Sequence, residues 1–232
     1  MRAVGSVLIA IGMLVGATPR LASQGDSTIH KPGTFYGTLK LQPLPDGINM
    51  KVLEAYSYTD ASGHALSAQP GFVTDGASIP RALWSIVGSP FTGKYVGAAV
   101  IHDVGCEAHK YSWQVTDRMF YDAMLDLGVG EHLAKLMYYG VLVGGPRWRT
   151  LSLSAKSTAE LSEEIAQSGA ISITETSGTT QATSYTAKVV VPSATRTLTK
   201  EQVQQFDKEL TRRENEHNPI SLTEIDGLVG QS

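Results

Sequence analysis

From Thr34 onward, apolar and polar positions alternate. Phe35, Gly37, Leu39 and Leu41 fall on one face, the spacing of a strand with one side against a core. Asp46-Gly47 marks a turn, and Ile48–Tyr58 reads as the returning strand. A second turn over Asp60–Gly63 leads to a third strand within Leu66–Val73. The period then becomes helical. Ser78-Ile79-Pro80 opens a short helix carrying Leu83, Trp84, Ile86 and Val87, because proline suits a first turn. Tyr95–His109 reads as a helix of small residues. Val115, Met119, Phe120, Ala123, Met124 and Leu127 form an apolar stripe at helical spacing, which Gly128 ends. Glu131–Val143 repeats the pattern until Gly144-Gly145-Pro146 stops it. The pattern predicts an α+β domain over residues 34–149, a small antiparallel sheet followed by three or four helices.

The flanking segments differ in character. Residues 150–197 are rich in Ser, Thr and Ala and predict little order, with short strands at most over Ile171–Thr174 and Lys188–Val191. Residues 198–232 predict a C-terminal helix, capped by Thr199, and a tail that lacks order. That helix reads as a charged, solvated one, or as an arm that docks on a protein partner. At the other end, residues 1–25 join Arg2 to an apolar run, Ala3–Ala17, with small residues at Val15-Gly16-Ala17. The run falls short of the roughly 20 residues that span a bilayer. It reads as a secretory signal and predicts an exported, periplasmic or extracellular protein; the alternative is an uncleaved membrane anchor.

Composition narrows the classes. A net charge of -3 with no basic block argues against a nucleic-acid partner. Cys106 is the only cysteine, so no disulfide forms within the chain.

The candidate chemistry lies in Ala98-Ala99-Val100-Ile101-His102-Asp103. A histidine and an aspartate inside an apolar helix each need a partner. Adjacent helical residues diverge too far to pair with one another. Asp117, one short loop away on the next helix, is the expected partner of His102, fixing its tautomer and strengthening it as a base. Ala98, Gly105 and Cys106 around His102 are small and leave room for a substrate, a water or another helix. Asp103, with Asp75 on the turn after the third strand, is a candidate pair for a divalent cation, calcium being the most compatible with carboxylates. Arg81 is a candidate contact for an anionic substrate, or a partner for Asp75. The bland readings are a His102–Asp117 pair that stitches two helices together and an Asp75 that bonds turn amides. A zinc set of His102, Cys106 and His109 is the least expected arrangement.

Three ordered blocks, Gly71-Phe72-Val73-Thr74-Asp75-Gly76-Ala77-Ser78-Ile79-Pro80-Arg81, Ala98–Asp103 and Thr116-Asp117-Arg118-Met119-Phe120, resemble the domain of unknown function 1353 family of phages and bacteria, over about Thr34–Trp148. Gly105-Cys106 stands where that family usually has Leu-Tyr, which sets Cys106 apart from its shared residues. At the level of the site, the order of Asp75, His102-Asp103 and Asp117 is also similar to secreted phospholipase A(2)-type enzymes. That likeness implies a water-activating His102, a calcium-binding Asp103 and an orienting Asp117. The chain departs from those enzymes in lacking disulfides and a convincing glycine-rich calcium loop. The expected function is a metal-assisted hydrolase of envelope lipid or cell wall; the alternative is a non-catalytic structural or accessory module, phage-linked, in which the same residues lock the helices.

Overall fold

The computed structural model describes residues 30–76, 80–83, 91, 93–178 and 184–228. The expected signal segment, residues 1–25, lies outside them, as do Trp84, Ile86 and Val87; a 3-10 turn, Arg81–Leu83, stands where the short helix was expected to begin.

Strands β1 (Thr34–Tyr36), β2 (Leu41–Pro43), β3 (Met50–Val52) and β4 (Tyr56–Thr59) keep one hairpin register, Thr34 facing Thr59 and Pro43 facing Met50. The Asp46-Gly47 turn closes it, the Asp46 carboxylate accepting from the N–H groups of Ile48 and Asn49 at 2.9 Å. The continuous strand expected from Thr34 is broken at Gly37, which has φ 85°. The Ala55 carbonyl occupies the place a Cβ would take there, so glycine is required. The hairpin therefore divides between two sheets. β5 (Ala65–Ala68) extends one as β1-β4-β5, and β6 (Val73–Thr74) extends the other as β2-β3-β6.

The apolar stripes become α1 (Val96–Ala108), α2 (Trp113–Asp126) and α3 (Glu131–Gly144). Ser112 caps α2 through the Val115 N–H, and Gly128 follows its end at φ 74°. Val52, Tyr58 and Leu66 of the sheets pack with Ile101, Phe120, Leu136 and Met137 of the helices in one core. Asp126 pins the start of the described chain to this core. It accepts from Gly33 N–H at 2.8 Å and Tyr58 hydroxyl at 2.7 Å, and meets His30 Nε2 at 2.7 Å.

The Ser/Thr-rich stretch has strands at both expected places, around Ile171–Thr174 and Lys188–Val191, and more order around them than expected. β7 (Trp148–Ala155), α4 (Thr158–Gln167), β8 (Ser172–Ser177) and β9 (Tyr185–Pro192) build a third antiparallel sheet of order β7-β9-β8 with a helix on it. Its few apolar residues are concentrated on one face: Leu151, Leu153 and Ala155 with Ala187, Val189, Val191 and Leu161 form a second small core. The Ser and Thr positions alternate outward, so average composition hides the stripe.

The C-terminal helix forms as α5 (Lys200–Asn215), with a capping box between Thr199 and Gln202, followed by α6 (Leu222–Gly227). It is only half solvated. Val203, Phe206 and Leu210 are buried, and Phe206 stacks on Tyr139 of α3 at 4.1 Å. His132 of α3 sits between two carboxylates of α5, 2.9 Å from both Asp207 and Glu214. A neutral imidazole has one N–H and satisfies only one of them, whereas imidazolium donates to both. Burial pulls His132 down, but the Asp207 and Glu214 hydrogen bonds outweigh it and its pKa is raised. The neighbouring Lys135 and Glu131 pair with each other at 2.7 Å. The contribution is complete below the unfolded-state value near 6.5 and is lost as pH rises through the raised folded value. Because all three groups are about a third exposed, it amounts to a few tenths to about 1 kcal/mol. Urea midpoints at pH 6 and 8.5 should differ in that direction, and His132→Gln should remove the difference.

Candidate functional site

His102 and Asp103 leave α1 in different directions, as a helical turn of 3.6 residues requires. His102 Nε2 meets Asp117 Oδ1 on α2 at 2.7 Å, and each residue is 1% exposed. Asp103 instead accepts the hydroxyl of Thr74 on β6, and Thr74 Oγ1 accepts the Gly76 N–H at 3.2 Å. The three sequence blocks thus bond to one another through one helix: His102 to the third block, Asp103 to the first.

Gly105 beside His102 does not leave room for a substrate. A Cβ on Gly105 would stand 2.5 Å from Thr116 Cγ2 and 3.0 Å from Leu66 Cδ1, so α2 and β5 fill that space. The Phe120 ring covers the imidazole at 5.0 Å. Cys106, half-buried, has its sulfur 3.8 Å from both ring nitrogens. Equal distances leave the sulfur aligned with neither nitrogen's lone pair. Burial alone would lower His102, but its interactions with Cys106 and the Asp117 carboxylate outweigh it and raise its pKa. Burial raises Asp117 in turn, against the pull of His102 and Arg147. Asp117 Oδ2 and Thr116 Oγ1 are buried without a hydrogen-bond partner among the described residues.

Asp75 and Asp103 do come together, lining an open hollow of about 460 Å³ with Thr74, Cys106, Asn49 and Glu107. His102 and Asp117 are not in its lining. The side chain of Arg81 is outside the described residues. Calcium takes six to eight oxygen ligands. Asp75 and Asp103 bring two carboxylates, one of them already bonded to Thr74, and no group of three or more His, Cys, Asp or Glu is arranged for a metal among the described residues. These residues alone do not fit a calcium cage. The His102, Cys106 and His109 set does not form: His109 ends α1 at φ 51° and packs edge-on to Trp148 at 4.9 Å. Thr74 is the site residue that sequence reasoning missed. Its signal was its place in the first block, immediately before Asp75.

Residues 50–141 match a family described as "Protein of unknown function (DUF1353)". The chain is 38% identical over 157 residues to the uncharacterized protein y4iH of Sinorhizobium fredii, covering 67% of this chain and 66% of that one. It is 38% identical over 120 residues to y4jT of the same organism, covering 49% and 36%. The matches thus span just under two thirds of the first relative and about a third of the second. No solved structure matches the chain.

Proposed function

With residues 50–141 matching the DUF1353 family, we propose that this segment is a non-catalytic accessory module whose His102, Asp103 and Asp117 hold its helices and sheet together. One observation carries the reading: the imidazole and its carboxylate partner are each 1% exposed, with Phe120, Cys106 and Thr116 packed around them. A general base must come within hydrogen-bond reach of the proton it takes, directly or through one water. An exported location is part of the proposal and rests on the N-terminal sequence pattern; no described helix is long and apolar enough to cross a membrane.

A second reading, the metal-assisted hydrolase of envelope lipid or cell wall, draws support from the open hollow that Asp75 and Asp103 share. On that reading the two carboxylates hold a divalent cation at the surface, and His102 with Asp117 positions Asp103. Two measurements separate the readings. The accessory module predicts that 5 mM calcium and excess EDTA leave the same melting temperature, and that vesicles of phosphatidylcholine or purified cell wall incubated with the protein and calcium release no product above buffer. A calcium-dependent rise in melting temperature that Asp103→Asn and Asp75→Asn abolish, or product release lost with those variants, overturns it in favour of the hydrolase.

A further inference from the structure

A second hollow, of about 610 Å³, is walled by α2, α3, α6, the Asp60–His64 turn and the residue before β7. Its lining carries both signs of charge, and most are matched internally. Asp60 receives two turn N–H groups and meets His64 at 2.7 Å. Asp122 pairs with Arg118 at 3.4 Å. Arg147 and Asp226 are the exceptions. The Arg147 guanidinium stacks over Trp113 at 4.7 Å and donates one N–H to the Leu142 carbonyl at 2.6 Å; its Nε has no partner, and no carboxylate forms an ion pair with it among the described residues. Asp226 accepts the Tyr138 hydroxyl on Oδ1 at 2.6 Å, and no cation pairs with it among the described residues.

We propose that this hollow binds a small zwitterion, a free amino acid or short peptide, its carboxylate on Arg147 and its ammonium on Asp226. Two opposite charges line one hollow without touching each other, which leaves a gap that a molecule with both charges bridges. A simple anion would satisfy Arg147 but meet three carboxylates in the same lining, Asp60, Asp122 and Asp226. A simple cation would leave the guanidinium, whose charge is felt at Asp117 only through space, without a directly bonded carboxylate. The indole of Trp113 and the side chains of Tyr138, Leu142 and Val115 give an apolar wall for the ligand's body, the usual balance of a small-molecule site. The stack on Trp113 holds the guanidinium plane in place before binding, which reduces the ordering cost.

The test follows the Trp113 indole N–H by NMR while the full chain is titrated with L-leucine, L-leucylglycine, acetate and ethylammonium. A saturable shift with one of the two zwitterions, at least about tenfold tighter than with either one-ended probe, is the expected result. Arg147→Met and, separately, Asp226→Asn should each weaken it by about tenfold or more. Asp226 is exposed and its asparagine keeps an acceptor for Tyr138, so that variant keeps the test sound if Arg147→Met fails to fold. Equal binding of acetate, no saturable shift with either zwitterion, or undiminished affinity in a folded variant overturns the proposal.

Discussion

His102→Ala should cost about 3–5 kcal/mol of unfolding free energy, the range for removing one partner of a buried ion pair. A domain of ordinary stability holds roughly 5–15 kcal/mol, so the variant should be marginal at 37 °C. The cost arises less from the lost hydrogen bond than from what is left behind. Asp117 is 1% exposed and already has one carboxylate oxygen without a partner; without His102 the other is stranded as well. Asp117→Ala should be similarly severe, since it leaves the buried imidazole beside Phe120 and Cys106 without its carboxylate partner. The double variant should cost clearly less than the sum, because the second change removes a group the first had stranded. Urea unfolding of the four proteins measures this. A native-like midpoint for His102→Ala would sink the helix-lock account at once.

Phe206→Ala should cost about 3–5 kcal/mol as well, but in a different place. Phe206 is 7% exposed and stacks on Tyr139, anchoring α5 to α3 together with Val203 and Leu210. The loss should appear as faster amide exchange along α5 and α6, with α1 and α2 still protected. His132 and its two carboxylates are too exposed to hold the helix alone, so apolar burial decides the docking and the imidazolium adds its pH dependence. Unchanged exchange in α5 would show that its apolar face is not what holds it.

The contrast between these two regions explains what the sequence discloses. The α2 stripe is legible because its apolar residues recur at helical spacing, and α1 and α3 because each is a long run of small and apolar residues bounded by turn residues. The divergence of His102 from Asp103, and the pairing of His102 with Asp117, follow from helical geometry and the small number of carboxylates one loop away. Closure of the pocket was not legible, because Gly105 reads equally as space for a substrate and as space for a neighbouring helix; only the position of Thr116 decides between them. Short strands are legible at Ile171–Thr174 and Lys188–Val191, but the sheet they form with β7 is hidden by composition, since one face of Ser and Thr dilutes another of Leu, Val and Ala. The buried side of α5 rests on Val203, Phe206 and Leu210 alone, three apolar residues in a helix otherwise full of charge. The Gly37 break was missed because its cause, the Ala55 carbonyl, comes from the partner strand.

The most direct measurement is the NMR behaviour of the His102 ring in protein labelled with ¹⁵N-histidine. A ring packed under Phe120 and Cys106 and bonded to Asp117 should keep its Nε2–H visible after transfer to D2O, and should not titrate near 6.5. Rapid loss of that proton, together with titration at the value of a free histidine, would mean that water reaches the imidazole, and would return His102 to the role of a working base.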